Sequence, residues 1–353
     1  MAPKRKRVTS QDVARLAGVS RTTVSLVLNN VPNARISPET RRRVLEAARQ
    51  LNYHPHAAAR SLVSRRAMTL GLILCQTPEQ VFADPFLPQV LLGINSVAQE
   101  HGYRILLETV AHPDDNGYAS LALEKRTDGI ILSGPRSDDH ALRALHEEGF
   151  PIVLLGQLRD TDIPFVDVDN VQAAHMAVEH LIELGHTRIG IITNGPLHYT
   201  ASADRLEGYR RALAAHGIPV DEHLITTGAF REESGREAME RLLDLPEPPT
   251  AVFAASDAIA LGAMVAIRRR GLRIPDDIAL VGFDDIPLAA YVNPPLTTVR
   301  LPAYELGREA ARLLINIVEG CTPETTRILL ETTLVVRESC GAGSGSNRSK
   351  VKG

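Results

Sequence analysis

The stretch TSQDVARLAGVSRTTVSLVLNN, residues 9–30, decides the fold of the amino-terminal part of the chain. Thr9 and Asp12 stand at capping-box spacing, and Val13, Ala14, Leu16 and Ala17 form an apolar stripe behind them, so a first helix is predicted up to Gly18. Ser20 caps a second helix, with Val19 and Val24 at the positions of a hydrophobic staple. At about 100° per residue, Val24, Val27 and Leu28 share one face of this helix, while Arg21, Thr22, Ser25, Leu26 and Asn29 share the other. The first face packs and the second presents hydrogen-bonding groups. A third helix is predicted from Ser37, with Pro38 in its first turn, burying Val44, Leu45, Ala48 and Leu51. Two helices joined by a tight glycine-containing turn and closed by a third make a helix-turn-helix unit. Its second helix suits the major groove of DNA, where Arg21 offers a bidentate fork to guanine and Thr22 a hydroxyl or a methyl to a base.

Charge points the same way. Residues 1–66 hold fourteen Lys and Arg against Asp12, Glu39 and Glu46, a net of +11. The whole chain carries −3, so the remainder carries −14. A basic module joined to an acidic body implies that the first part meets a polyanion and the second stays off it. At 353 residues the chain exceeds one ordinary domain.

From Leu70 onward, short apolar runs alternate with amphipathic stretches: LGLILC, YRILLE, GIILSG, PIVLLG, RIGIIT, TAVFAA and IALVGF. Such alternation reads as parallel strands with crossover helices. Ligands in such sheets sit outside the carboxyl ends of strands. Polar residues fall there: Ser133 after GIIL, Ser256 and Asp257 after VFAA, Asp284 after LVGF.

The stretch 9–30, continued by SPETRRRVLEAARQLNYHPHAAARSL at 37–62, closely resembles the headpiece of the lactose and galactose repressor family. The likeness runs on to Cys340 through LGH at 184–186, RLEGYRRAL at 205–213, SDAIALGAM at 256–264, VGFDD at 281–285 and PPLTTVR at 294–300. It implies an α plus α/β fold: a helix-turn-helix headpiece over 1–54, a hinge helix over 55–66, and a two-lobed periplasmic-binding-protein-like α/β effector domain over 67–340. Lobe one takes about 67–168 and 300–329, lobe two 169–299 and 330–340, and 341–353 is a disordered tail. The resemblance further implies that Arg21 and Thr22 read bases, that Thr9, Ser25 and Arg35 position the DNA backbone, and that Leu62, beside Ala59, wedges into the minor groove. A hinge segment of about ten residues is too short to be helical alone, so it orders when two copies meet on DNA. Leu26 replaces the Arg common at its place, His56 replaces the usual hinge cap, and the loop from Asn30 to Ile36 is longer by about two residues.

For the body, the resemblance assigns pocket positions to Asp84, Pro85, Phe86, Ser133, Ser202, Arg205, Phe230, Ser256, Asp257 and Asp284. Arg205 offers a planar fork, Asp284 accepts from hydroxyl or N–H groups, and Phe86 and Phe230 supply flat apolar walls. The set suits a sugar or a nucleobase-like ligand. Singly, Arg205 and Asp284 also fit a structural ion pair, Phe230 a core residue and Asp257 a helix cap. Gly156, followed by Gln157, stands where many sugar-sensing relatives have Asp, and Ala258 offers no hydrogen bond, so the pocket suits either a ligand with fewer hydroxyls or one bonded through Gln157 or through the insert Thr77–Ala83.

The expected function is a DNA-binding transcription regulator, most simply a repressor, whose grip on a near-palindromic operator answers to a small-molecule effector. The longest apolar runs fall far short of the ~20 residues of a membrane span, and the basic start MAPKRKR lacks the apolar core of a secretory signal, so a cytoplasmic location is expected. A solute-binding protein needs an export signal and has no use for a DNA-reading head. No nucleophile motif, HExxH or P-loop supports an enzyme. Cys75, Cys321 and Cys340 are widely spaced without a zinc-type partner, so no metal or cofactor is expected. No heptad-bearing extension follows Cys340, which favours a homodimer over a tail-assembled tetramer.

Overall fold

The computed structural model describes residues 8–28, 34–53, 66–110 and 124–342. The hinge helix with Ala59 and Leu62, Asn29, part of the loop after it and the tail from 343 lie outside the described residues. The chain divides into two compact units, Met1–Met68 and Thr69–Gly353.

In the first unit, α1 (Ser10–Ala17), α2 (Arg21–Leu28) and α3 (Pro38–Gln50) form a three-helix cluster. Each start is fixed locally. The Asp12 carboxylate accepts from the Thr9 N–H at 2.9 Å and from its hydroxyl at 2.7 Å. Ser20 accepts from the Thr23 N–H, and Ser37 from the Thr40 N–H with Pro38 at the first helical position. Gly18 ends α1 at φ +65°, the left-handed conformation that lets the Val19 N–H turn back to the Ala14 carbonyl. The core consists of Val13, Ala14, Ala17, Val24, Val27, Val44, Ala47 and Ala48. Of the predicted stripes, Leu28 and Leu51 pack half-buried against this core, and two positions stand in water: Leu16 is 52% and Leu45 49% exposed. Three short helices meet along narrow seams, so the edge of each apolar stripe stays in water and the smaller Ala47 takes the packed position.

The second unit contains two six-stranded sheets. The first has the order β11 (Arg327–Leu330), β5 (Phe165–Val168), β4 (Ile152–Leu155), β3 (Gly129–Ser133), β1 (Thr69–Leu74), β2 (Arg104–Thr109), with every pair parallel. The second runs β12 (Thr333–Val335), β10 (Thr297–Arg300), β9 (Ala279–Asp284), β8 (Ala251–Ala254), β6 (Ile189–Thr193), β7 (Ile225–Thr227), parallel except for β12. The central strands are apolar on both faces, as parallel strands under two helical layers must be.

Helices α5 (Leu87–Glu100), α6 (His140–Glu147) and α11 (Ala303–Glu319) belong with the first sheet, and the short α4 (Pro78–Ala83) follows its strand β1. Helices α7 (Asn170–Glu183), α8 (Thr200–Ala215), α9 (Glu232–Leu243) and α10 (Asp257–Arg269) belong with the second. The chain therefore crosses between lobes after β5, after β10 and between β11 and β12. Helices α5 and α11, two hundred residues apart in sequence, nearly touch: a Cβ on Gly93 would stand 2.0 Å from the Tyr304 carbonyl oxygen. Among the described residues no helix is long and apolar enough to cross a membrane.

Candidate functional site

On the headpiece, the second helix α2 turns Val24 and Val27 inward and leaves Arg21 and Thr22 exposed at its start, with Ser25 and Leu26 half-buried behind them. The exposed pair is where base edges would be met by a helix entering the major groove. Thr9 and Arg35 are exposed as well, although the Thr9 hydroxyl is already engaged by Asp12.

In the body, the carboxyl ends of both sheets open onto one cleft. Leu74, Ser133, Leu155 and Asp167 line it from the ends of β1, β3, β4 and β5, and Asn194, Ser256 and Asp284 from the second sheet. Phe86, at the start of α5, and Phe230, before α9, are in the lining, as is Arg205 from α8. Seven of the ten positions that the resemblance assigns to the pocket, Asp84, Phe86, Ser133, Arg205, Phe230, Ser256 and Asp284, thus face a common space.

Arg205 is the hub. It is 6% exposed, its Nε donates to Asn170 Oδ1 at 2.9 Å and its Nη1 to the Ala255 carbonyl at 2.6 Å. The guanidinium carbon lies 3.8 Å from the Phe283 ring centroid, and Nη1 is 3.9 Å from Asp284 Oδ1. A stacked, doubly anchored guanidinium keeps its plane while Nη2, which has no hydrogen-bond partner among the described residues, remains for a ligand. Burial holds the Asp284 carboxyl well above the ordinary range against the pull of Arg205, and Asp257 and Asp84 push it the same way.

Backbone strain gathers here. Phe230 (φ +61°), Asp284 (φ +119°) and Asp285 (φ +56°) all sit in the region that favours glycine. Their surroundings hold them: the Phe230 N–H donates to the Asn194 carbonyl at 2.8 Å, and Asp285 is clamped between Arg300 at 2.6 Å and Arg337 at 2.7 Å.

Three positions implied by the resemblance turn away from the cleft. Asp257 is fully buried, accepting from the Thr298 hydroxyl at 2.6 Å and the Ile286 N–H at 2.9 Å, so it ties β9, β10 and the following turn together. The cap of α10 is Ser256, which accepts from the Ile259 N–H. Ser202, also fully buried, donates to Asn194 Oδ1 and so steadies a lining residue. Pro85 lies in a neighbouring depression with Asp285 and Arg300. Of the alternatives raised for Gly156, neither Gln157 nor the insert lines the cleft. Gln157 spends its amide on Asp167 at 3.0 Å and on the Val168 carbonyl, and the insert folds as α4, whose Gln80 donates to the Ala229 carbonyl across the cleft mouth.

Sequence reasoning missed Asp167, Asn170 and Tyr199. Asp167 accepts from Gln157 and, with both oxygens at 3.2 Å, from the Asn170 amide; burial pushes its carboxyl up to about 6. Tyr199 precedes α8 yet packs in the core of the first lobe, edge-on to Phe230 with centroids 4.8 Å apart.

Residues 9–56 match the family of bacterial regulatory proteins, lacI family, and residues 178–340 the periplasmic binding protein-like domain. The HTH-type transcriptional regulator CelR of Thermobifida fusca is 40% identical over 343 residues, covering 95% of this chain and 99% of that protein. The HTH-type transcriptional repressor CytR of Escherichia coli strain K12 is 39% identical over 337 residues, covering 95% and 96%. Among solved structures, a complex of transcriptional regulator CelR with cellobiose superposes with a TM-score of 0.72 at 39% identity, covering 94% of this chain and all of that one. The lac repressor dimer bound to operator and the anti-inducer ONPF gives 0.83 at 30% identity, covering 95% and 99%.

Proposed function

Because the chain belongs to the lacI family of bacterial regulatory proteins, it is a DNA-binding transcription regulator rather than an enzyme, and we propose that a sugar held between its two lobes sets how tightly a pair of its heads grips a near-palindromic operator. The observation that carries the reading is the anchored Arg205 beside Asp284, set at the carboxyl ends of two sheets in a chain that begins with a helix-turn-helix.

Arg21 and Thr22 then contact base edges, while Thr9, Ser25 and Arg35 place the headpiece on the phosphates. Ala59 and Leu62 act in the minor groove at the centre of the site. In the cleft, Arg205 and Asp284 hydrogen-bond ligand hydroxyls, Ser133 and Ser256 add weaker contacts, and Phe86 and Phe230 cover the apolar faces of a sugar ring. The relative CelR binds cellobiose in its solved complex, which supports a sugar over a nucleobase. Two-fold operators call for a homodimer, and DNA places the protein in the cytoplasm.

A ligand touching both lobes favours the arrangement that closes around it, and that preference alone is available to change operator affinity, typically by ~1 to 3 kcal/mol. The test is a titration of an operator, selected from random duplexes, with the full-length protein in the presence and absence of cellobiose and a panel of other sugars and nucleosides. A sugar that shifts operator affinity, and is recovered unchanged, is the expected result. A response to nucleosides alone would replace the sugar reading.

A further inference from the structure

Charge in the cleft is one-sided. Asp84, Asp167 and Asp284 all line it, and Arg205 is the single cation among the described lining residues. Arg205 is partly spent: Nε and Nη1 are bonded to Asn170 and the Ala255 carbonyl, Nη1 faces Asp284, and Nη2 is left for a ligand hydroxyl. Asp84 is held by the Phe86 N–H at 2.9 Å, and Asp167 by the Gln157 and Asn170 amides, all neutral donors, so Asp84, Asp167 and Asp284 share Arg205 as their one counter-charge in the lining. The first-lobe side of the cleft thus offers acceptors and negative charge.

Position 156 shows why the acceptor sits on β5. Gly156 has φ +118°, and a Cβ there would stand 2.6 Å from Cδ of Pro135, so no side chain fits at the end of β4. The neighbouring strand end supplies Asp167 instead, and Gln157 reaches over to position it.

Resting on the sugar reading above, we infer that the cleft selects an uncharged, hydroxyl-rich sugar over its phosphorylated or carboxylated form, and that Asp167, positioned by Gln157 and Asn170, enforces this choice. A neutral sugar hydroxyl donates to Asp167. A phosphate or carboxylate in the same place meets like charge in a low-dielectric cleft and loses on the order of 100-fold in affinity or more.

The experiment is calorimetric titration of the full-length protein with cellobiose, glucose and galactose, and with glucose 6-phosphate, galactose 6-phosphate and glucuronate, for wild type, Asp167→Asn, Gln157→Leu and the double variant. Thermal melting of each protein reports folding. Wild type is expected to bind a neutral sugar at least about 100-fold tighter than the matching anionic one. Asp167→Asn should narrow that gap by about tenfold or more. Gln157→Leu should narrow it less, and should add nothing in the Asp167→Asn background, because it acts through Asp167. An unchanged gap in well-folded Asp167→Asn overturns the role of Asp167 and leaves the sugar reading standing. Preferred binding of an anionic sugar overturns the charge selection, again without touching the sugar reading. Failure of every sugar to bind wild type overturns the sugar reading and this inference with it.

Discussion

Tyr199 donates its hydroxyl to the carbonyl oxygen of Cys75 at 2.6 Å, joining the segment before α8 in one lobe to the end of β1 in the other. Around this bond the Ser137 N–H donates to the His198 carbonyl at 2.9 Å and the Thr200 N–H to that of Pro135 at 3.2 Å. The lobes are clasped directly, protein to protein, beside the space a ligand would fill. Any ligand acts on an equilibrium that this clasp already biases.

Tyr199→Phe removes one hydrogen bond from the clasp and keeps the ring against Phe230. The loss of ~1 kcal/mol of closure should weaken sugar binding roughly fivefold and raise the sugar concentration for half-maximal operator response by the same factor. Equal sugar affinity in wild type and variant would mean that the bond is made in both lobe arrangements.

Arg21→Ala should relax base preference at one position in each half-site and cost ~1 to 3 kcal/mol there. Binding measured on a library of operator variants separates this from a phosphate contact. A uniform loss across all sequences would show that the exposed Arg21 touches only the backbone.

Gly93→Ala tests the seam between α5 and α11. On an exposed helical surface the change stabilises by about 1 kcal/mol. Here the new methyl meets the Tyr304 carbonyl at 2.0 Å, so the helices must part, at ~1 to 3 kcal/mol. The melting temperature should fall by roughly 2 to 10 °C. A rise would mean that the seam is loose.

Local signals carried much of this molecule, and non-local ones did not. Ser20, Ser37 and Gly18 declare their roles within four residues, so the three headpiece helices were readable from caps alone. Leu16 and Leu45 misled because periodicity marks a stripe without showing how much of it a neighbour covers. Strands β7, β11 and β12 are three or four residues long and partly exposed, too brief for alternation to register. Asp167 hid inside FVDV, a short alternating strand, although a carboxylate in a strand interior is itself unusual enough to mark the position. Tyr199 has no such mark, since its partner is a carbonyl 124 residues away.

Asp167→Asn also predicts a pH dependence. Burial raises this carboxyl from 3.8 to about 6 in the folded chain, so wild type loses stability as pH rises from below 4 to above 6, while Asn has nothing to ionise. The variant should be the more stable protein at pH 7.5, by up to ~3 kcal/mol, and the difference should vanish below about pH 4. Melting curves across that range check it. A difference that grows toward acid pH would show that the carboxylate is stabilised by its amide donors more than it is penalised by burial.

Asp284→Asn is the sharpest test of the switch. Arg205→Ala is a poorer probe, because it removes the cation from among Asp84, Asp167 and Asp284 and frees the Ala255 carbonyl, and stripping one partner from a buried charged group costs several kcal/mol of fold. Asp284→Asn keeps the shape, and burial already drives this carboxyl toward its neutral form, so the lobe should fold as before. What is lost is a carboxyl acceptor for a ligand hydroxyl, about 0.5 to 1.5 kcal/mol, or roughly 2- to 12-fold in affinity. By linkage, half-maximal operator response should need proportionally more sugar, while sugar-free operator binding stays near wild type. Operator titrations with and without sugar read both quantities in one experiment. A full response at the wild-type sugar concentration would place the pocket elsewhere, and loss of sugar-free operator binding would make the Arg205–Asp284 pair a prop of the fold rather than the contact that senses the ligand.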